Sequence, residues 1–578
     1  MNILGISCFY HDSAAALVID GKLVAAASQE RFSRIKHDSE FPLDAVTFCL
    51  NRGKVSIVDI DYVVFYDKPL RKFDRIITGY LASPFRSYKA FIKALPVWLR
   101  KKLWIEKIIC KELSYDGRVL FLSHHLSHAA GAFFCSPFDK SAILTIDGVG
   151  EWATAAWGKG NNNKIELCKQ LNYPHSVGLL YSSITYFLGF KVNSAEYKVM
   201  GLAPYGRPKY TELIEKELVK IYEDGSIHLN LKYFKFHFGL TMTGKKIEKL
   251  FGHKRREEES EITQFHQDLA ASLQEVTEKI IIRMASHVKT MTGEKNLCLS
   301  GGVGLNCRAN GLLKEKKIFE KIYVQPASGD AGGAVGAALY LWYELSKKDK
   351  QNQPFFKLGP SYKDSEIKNL LDEKKIVYNQ FTSEELKMEF LAESLANGNI
   401  AAIFLGSAEF GPRALGFRSI VADPRSEMMK DKINSAVKFR EKFRPFAPAV
   451  TQKDAQKYFH IDGESPYMLF NYQIKNEKRK LLKAVTHIDG SARVQTVKQE
   501  DNPSFYMLLI KFEQLTSLPV LLNTSFNLRG HPLVNSPVDA LNTFFSSEID
   551  FLMMEDVVIS KASNDHLTEN FKIEASYD

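Results

Sequence analysis

"FLSHHLSHAAGAFFCSPFDKSAILTIDGVGE" (residues 121–151) is the stretch whose reading decides the fold. Three histidines fall within five positions, an apolar run follows, and the run ends in an aspartate set among glycines. His124 and His128 are four residues apart, so on a helix they share one face and can converge on one ion. His125 points elsewhere and reads as a supporting or structural residue. The competing account is a packed helix whose histidines bond backbone or carboxylates.

Working outward, the strand-like "AILTID" belongs to a plan that the chain uses twice. "NILGIS-CFYHDS-AAALVID-GKLVAAASQE" at the start reads as three short strands, with Asp20-Gly21 as a hairpin turn between the second and third. Residues 142–170 repeat that order. "KNLCLSGGVGLNCRANGLL" (295–313) and "KIYVQPASGDAGGAVGAALYLW" (321–342) then read as strand, glycine turn and helix. Strand–turn–strand units followed by strand–loop–helix units imply a duplicated α/β domain whose strand-end loops converge on a cleft. An actin-like or sugar-kinase-like ATPase core is the expected fold class. A polar, lysine-rich stretch near 350 marks the expected boundary, so residues 1–350 form one domain and 351–578 a second α/β domain.

In a duplicated cleft Asp147, which closes "AILTID", and Asp330, after "IYVQPASG", sit where strand ends meet. Two imidazoles with two carboxylates suit Fe(II), Mn(II) or another octahedral divalent ion better than a closed thiolate zinc site. "SGGVGLN" (300–306) and "GDAGGAVGAA" (329–338) precede apparent helices, where bare N–H groups favour phosphate. Glycine is equally what tight turns and close packing need. With "DGVGE" these loops point to a nucleotide cleft, and the absence of GxxxxGK[ST] disfavours a Walker-type ATPase. His11, in the first strand turn, is the candidate general base; the alternative is a turn cap.

The second domain carries a basic set. "EFGPRALGFRSIVADPR" supplies Arg413 and Arg418, and "NSAVKFREKFRPFAPAV" supplies Lys438, Arg440 and Arg444. Arg493, Asn523 and Ser525 complete it. Arginine forks and amide donors bind phosphate or a planar O–C(=O)–N group through paired hydrogen bonds. Surface ion pairing is the plainer account of any one arginine.

Seven cysteines form no CxxC pair, an odd count that fits reduced thiols in a cytoplasmic chain. No apolar run approaches the ~20 residues that span a bilayer, and the start lacks the n- and h-regions of a signal peptide. Part of the net charge of +10 lies between 68 and 114 in a basic, aromatic segment. A nucleic-acid or membrane face is one reading of it. The preferred reading is an amphipathic insertion with its aromatics against the protein and its lysines in water, so neither nucleic acid nor membrane is expected as a partner.

"HHLSHAAGAFFCSPF", "YPHSVGLLYSSITYFLGF", "EYKVMGLAPYG", "LSGGVGLNCRAN", "FGPRALGFRSI", "KFREKFRPFAPAV" and "NTSFNLRGHPLVNSPVDA" together resemble the O-carbamoyltransferases of antibiotic and nodulation-factor biosynthesis. The likeness runs in the family's order from about residue 2 to 560. It implies an N-terminal domain resembling the threonylcarbamoyl-adenosine transferases of the actin-like superfamily and a YrdC-like C-terminal domain. The YrdC-like site is expected to join carbamoyl phosphate and ATP, with Mg as an accompanying ion, into carbamoyl adenylate. The N-terminal site then uses a metal, iron in the best-known relatives, to present it to a hydroxyl of a small-molecule acceptor. Carried over by position, the metal ligands are His124, His128, Asp147 and Asp330, and His11 is the base. Lys198, Gly301, Gly302, Gly304 and Asn306 fall on the nucleotide cleft. Arg413, Arg418, Lys438, Arg440, Arg444, Arg493, Asn523 and Ser525 fall on the first-step pocket.

Two positions depart from the family pattern: Ser407, where arginine is usual, and Tyr197, where glycine is common. The alternative is a threonylcarbamoyl transferase acting on tRNA adenosine, which the fused basic second domain argues against. A homodimer is compatible with the resemblance.

Overall fold

The computed structural model describes residues 1–441 and 443–573. Two compact units make up the chain: Met1–Gln29 with His37–Pro354, and Glu30–Lys36 with the chain from Phe355 onward.

In the first unit, β1 (Asn2–Ser7), β2 (Ala14–Ile19), β3 (Lys22–Ser28), β4 (Tyr62–Phe65) and β5 (Arg118–Phe121) form a sheet in the order β3-β2-β1-β4-β5. The first three strands pair antiparallel, and β4 and β5 run parallel to β1. Asp20 and Gly21 both take positive φ, 49° and 87°, the pair of left-handed residues that a tight hairpin between β2 and β3 requires. Between β4 and β5 lie the helices α1 (Pro69–Leu81) and α2 (Pro84–Arg100).

After α3 (His124–Cys135) the same plan returns. β6 (Lys140–Ile146), β7 (Ala153–Asn161) and β8 (Lys164–Asn172) pair antiparallel, and β9 (Asn296–Ser300) and β10 (Lys321–Val324) run parallel to β6. The order β8-β7-β6-β9-β10 is that of the first sheet. This is the duplicated α/β domain expected from the sequence repeat.

Helix α3 packs on α7 (Ala331–Ser346), and the small residues of "GGAVGAALY" explain how closely. A Cβ on Gly336 would sit 1.8 Å from the Ser127 carbonyl oxygen, so only glycine lets the two backbones touch there. Gly333 meets the Tyr66 ring in the same way, at 2.6 Å. The glycines after Asp330 at 333 and 336 are therefore packing residues, one of the two readings that the sequence leaves open for them. Their effect is to bring the N-terminal ends of two helices together.

The second unit holds an eight-stranded mixed sheet. Its strands are β11 (Asn379–Gln380), β12 (Ala401–Phe404), β13 (Arg418–Ala422), β14 (Ala447–Thr451), β15 (Gln495–Val497), β16 (Val520–Ser525), β17 (Phe551–Met554) and β18 (Val557–Ser560), in the order β11-β18-β17-β12-β13-β16-β14-β15. The α/β class expected of this half is what the structure has. Residues 30–36 belong here although they lie far off in sequence. Arg34 donates to the carbonyls of Leu533 (2.6 Å) and Pro532 (3.1 Å) and pairs with Asp539 at 3.3 Å, while Arg31 donates to the Gly411 carbonyl at 2.9 Å.

The 68–114 segment differs from its expected packing. Trp98 and Ala90 face the protein, but Phe85, Tyr88 and Trp104 face solvent. A basic helix with a spread of apolar positions has more than one apolar face, and composition alone does not say which of them is covered.

Candidate active site

His124 and His128 occupy the first two turns of α3, both 1% exposed. Their Nε2 atoms lie 3.1 Å apart. Asp147 follows directly on β6, and its Oδ2 is 2.9 Å from His124 Nε2 and 3.9 Å from His128 Nε2. Asp330 stands at the N-terminal end of α7, with Oδ1 at 3.7 Å and 3.8 Å from the same two nitrogens. One ligand atom from each of the four lies within 4.8 Å of the others, and all four side chains are buried. Among the described residues neither aspartate has a lysine or arginine partner.

The electrostatics follow from that crowding. Burial pushes His124 down, but the hydrogen bond to Asp147 and the Asp330 charge outweigh it and raise the imidazole to about 10. Burial and the charge on His124 then push His128 down to about 3. Asp147 is held well below the ordinary carboxylate range, its burial outweighed by the His124 hydrogen bond, whereas burial raises Asp330. Two imidazole nitrogens and two carboxylate oxygens facing one point form a donor set that fits an octahedral divalent ion with positions left for substrate oxygen.

Around these four stands a set of supporting groups. Gly302 N–H donates to Asp147 Oδ1 at 2.9 Å, which ties the loop after β9 to the cluster. Tyr66 donates its hydroxyl to Asp330 Oδ2 at 3.0 Å. Glu151 Oε1 accepts the His124 backbone N–H at 2.9 Å, and Ser300 Oγ lies 3.4 Å from His128 Nδ1. Asp67, wholly buried, pairs with Lys72 and places Oδ2 3.7 Å from His124 Nδ1. Burial raises the Asp67 carboxyl, but Lys72 and His124 outweigh it and hold it well below the ordinary range. His125 is structural, its nitrogens 2.8 Å from Thr145 Oγ1 and 3.0 Å from the Ala153 carbonyl.

His11 lies in the loop after β1. In the loop after β9, Gly301 takes φ +93° and would drive a Cβ to 2.2 Å from the Ile146 carbonyl. A Cβ on Gly304 would meet Ser328 Oγ at 2.6 Å. Asn306 caps α6 (Cys307–Glu315), accepting the Ala309 N–H at 3.1 Å and exchanging hydrogen bonds with Gln274. Its amide serves the helix. Lys198 is buried on α4 (Glu196–Leu202), a helix packed on α5 (Gln264–Thr292); Tyr197 precedes it on the same turn.

In the second unit the strand register gathers part of the basic set. Ser525 and Asn523 on β16 lie opposite Ser419 and Val421 of β13, and Ala447 of β14 lies opposite Asn523. Lys438 Nζ donates to Ser525, both carbonyl and hydroxyl, and to Asn527 Oδ1 at 2.8 Å. Asn523 Nδ2 donates to Gln495 Oε1 at 2.7 Å and to the Ala414 carbonyl at 3.3 Å, while Gln495 donates to the Leu415 carbonyl at 3.0 Å. Asn523 and Gln495 thus hold the backbone beside Arg413. Arg413 and Arg493 are half-buried chain neighbours of that network.

Three arginines are spent otherwise. Arg418 is wholly buried, and its two terminal nitrogens donate to the carbonyls of Leu405, Phe417, Pro360 and Gly406 at 2.7–3.1 Å, with the guanidinium stacked 3.6 Å from the Phe404 ring centroid. Its assignment to substrate binding is corrected: the fork is consumed by the loop that carries Ser407. Arg440 donates to Asn434 Oδ1 at 2.8 Å and lies over Phe446, and Arg444 pairs with Glu441 at 3.6 Å. Both of these brace the 434–446 loop.

A carbamoyltransferase N-terminus profile matches residues 2–339, and a carbamoyltransferase C-terminus profile matches residues 392–561. The chain belongs to the carbamoyltransferase family. This carbamoyltransferase is 45% identical over 614 residues to an uncharacterized protein, sll1178, of Synechocystis sp., spanning 100% of this chain and 99% of that one. It is 36% identical over 564 residues to the nodulation protein NolNO of Sinorhizobium fredii, spanning 96% and 79% of the two chains. Among solved structures, HypF in its phosphate- and nucleotide-bound form aligns at a TM-score of 0.32 and 14% identity over 60% of this chain and 55% of that one.

Reasoning from sequence missed Asp67, Tyr66, Lys72 and Asn527 in this carbamoyltransferase. Tyr66 and Asp67 end the apolar strand "YVVF", the same strand-end position that had singled out Asp147. That rule, applied to every strand of the repeat, would have found them.

Proposed function

We propose that this carbamoyltransferase works in two steps, making carbamoyl adenylate in the second unit and using it in the first. In the first step carbamoyl phosphate yields phosphate and a carbamate whose oxygen attacks the α-phosphorus of ATP, expelling pyrophosphate and consuming one water. Lys438, Arg413 and Arg493 neutralise the phosphate oxygens, and Ser525 orients the carbamoyl group. Asn523, through Gln495 and the Ala414 carbonyl, keeps the Arg413 loop in place. Charge developing on a leaving phosphate is where fixed cations act most strongly.

In the second step the hydroxyl of a small-molecule acceptor attacks the carbamoyl carbon, AMP leaves, and a carbamate ester forms. His11 takes the hydroxyl proton. His124, His128, Asp147 and Asp330 would hold a divalent ion, Fe(II) in this reading, whose bound form supplies Lewis-acid polarisation of a carbonyl or phosphate oxygen. The glycine loop of Gly302 and Gly304, which has no side chains at those two positions to obstruct a close approach, lies against the adenylate phosphate, and Lys198 supports that cleft.

The single observation that carries this reading is the convergence of four buried ligand side chains in a chain of this family. Purified protein incubated with ATP and carbamoyl phosphate is expected to release pyrophosphate and phosphate without any acceptor. Release that instead requires threonine and bicarbonate would overturn it in favour of a threonylcarbamoyl transferase.

A further inference from the structure

The forty residues from Lys68 to Lys107 carry eleven lysines and arginines against two acids, and so hold nine of the chain's ten net positive charges. Helix α2 runs through the middle of this segment with no acid of its own. Ser87, Ala90 and Trp98 are buried on its inner side. Its outer side is apolar too: Phe85 is 99% exposed, Tyr88 64%, Ile92 51% and Leu99 48%. At about 100° per residue, Phe85, Tyr88, Ile92, Pro96 and Leu99 fall within an arc of about 80°. Lys89, Lys93 and Arg100, all exposed, line the next arc. Among the described residues none of these three has an ion-pair partner. Leu81 before the helix and Trp104 after it are exposed as well.

A contiguous apolar stripe of this kind is unusual on a surface that meets only water, and the charge beside it selects what covers it. A second copy would bring the same strongly basic segment against itself across a two-fold axis, which repels. A nucleic acid would match the charge, but leucine and isoleucine gain little from phosphates and bases. Anionic phospholipid matches both parts, since lysine heads meet the headgroups while the aromatic and aliphatic side chains enter the acyl boundary. No helix of the described residues is long and apolar enough to cross a membrane, so the geometry is that of a helix lying on a bilayer. The inner side of the same segment adjoins the loop that carries His11. Lys72 Nζ lies 3.4 Å, and Lys102 Nζ 4.3 Å, from the ring centroid of Tyr10, and Trp98 packs on that ring.

We propose that the outer face of α2 docks the first unit on an anionic phospholipid surface, independently of the reaction assigned above. The test is co-sedimentation of the full chain with phosphatidylcholine vesicles made with and without phosphatidylglycerol. Binding is expected only to the anionic vesicles and should weaken as salt rises. Lys89→Gln/Lys93→Gln/Arg100→Gln should weaken it by about two orders of magnitude, and Phe85→Ser/Ile92→Ser should also release the protein. In the unaltered chain, vesicles should shift Trp104 fluorescence to the blue, a signal lost in Trp104→Phe; this readout does not depend on how the surface variants fold. Equal partition to both vesicle types, no partition at all, or partition unchanged in both multiple variants would overturn the proposal. A concentration-dependent dimer abolished by Phe85→Ser, or retention of RNA in place of vesicles, would do the same.

Discussion

The imidazole–carboxylate cluster of the first unit and the arginine-rich loops of the second are both polar sets in buried surroundings, yet they are satisfied in opposite ways. In the first, four ligand atoms face one another, and the two aspartates have no lysine or arginine partner among the described residues. In the second, Arg418 is spent on four backbone carbonyls and Arg444 on Glu441. A guanidinium carries five donors that the chain's own carbonyls can absorb. Two carboxylates crowded against two imidazoles find only partial relief, in the Gly302 N–H, the Tyr66 hydroxyl and a hydrogen bond with His124. A buried, mutually facing acid–histidine set is therefore far stronger evidence of a ligand than an equal number of arginines.

That contrast can be broken most directly at His128. His128→Ala should lower carbamoyl transfer about a thousandfold, the scale of losing a metal's transition-state stabilisation. Bound metal measured by elemental analysis should fall with it, while pyrophosphate release stays intact. Transfer that survives would remove the ion from the reaction. Lys438→Ala tests the other side: pyrophosphate release should drop about 10²–10³-fold, as when one preorganised donor is lost, with transfer from supplied carbamoyl adenylate retained.

The contrast within the second unit is sharpened by a pair. Arg418→Met should cost about 3 kcal/mol of unfolding free energy, because four buried carbonyls lose their donor. Arg493→Ala should leave denaturant stability nearly unchanged and lower activity. The reverse pattern would return Arg418 to the pocket. The smallest effect is expected at Asp67→Asn, which should weaken divalent-metal affinity about 10–100-fold by loosening the partner of His124. Chelator competition reads this without any activity assay.

The repeated three-strand unit and the two strand–glycine–helix units of the second half were legible because they rest on local signals: alternation, the Asp20-Gly21 turn, and glycine where strands end; β4 and β5, which carry no such glycine turn, were not. The four candidate ligands were legible from helix spacing and strand-end position. Arg418 was misread because a count of cations does not reveal which donors are already used. Residues 30–36 were placed with the wrong unit because Arg31 and Arg34 act through carbonyls some 380 to 499 positions away. The solvent-facing side of α2 was missed because a helix with apolar residues on two sides leaves open which of them is covered.

By itself the sequence determined the order of elements, the duplication, and a helical turn with two histidines on one face, since backbone sterics and side-chain period act between near neighbours. Only the tertiary structure decided that Asp147 and Asp330 reach those histidines, that Asp67 stands behind them, and that Arg418 is a strut. Those outcomes depend on how close two helices come, which Gly336 sets by touching the Ser127 carbonyl, and on which distant carbonyls a buried guanidinium finds.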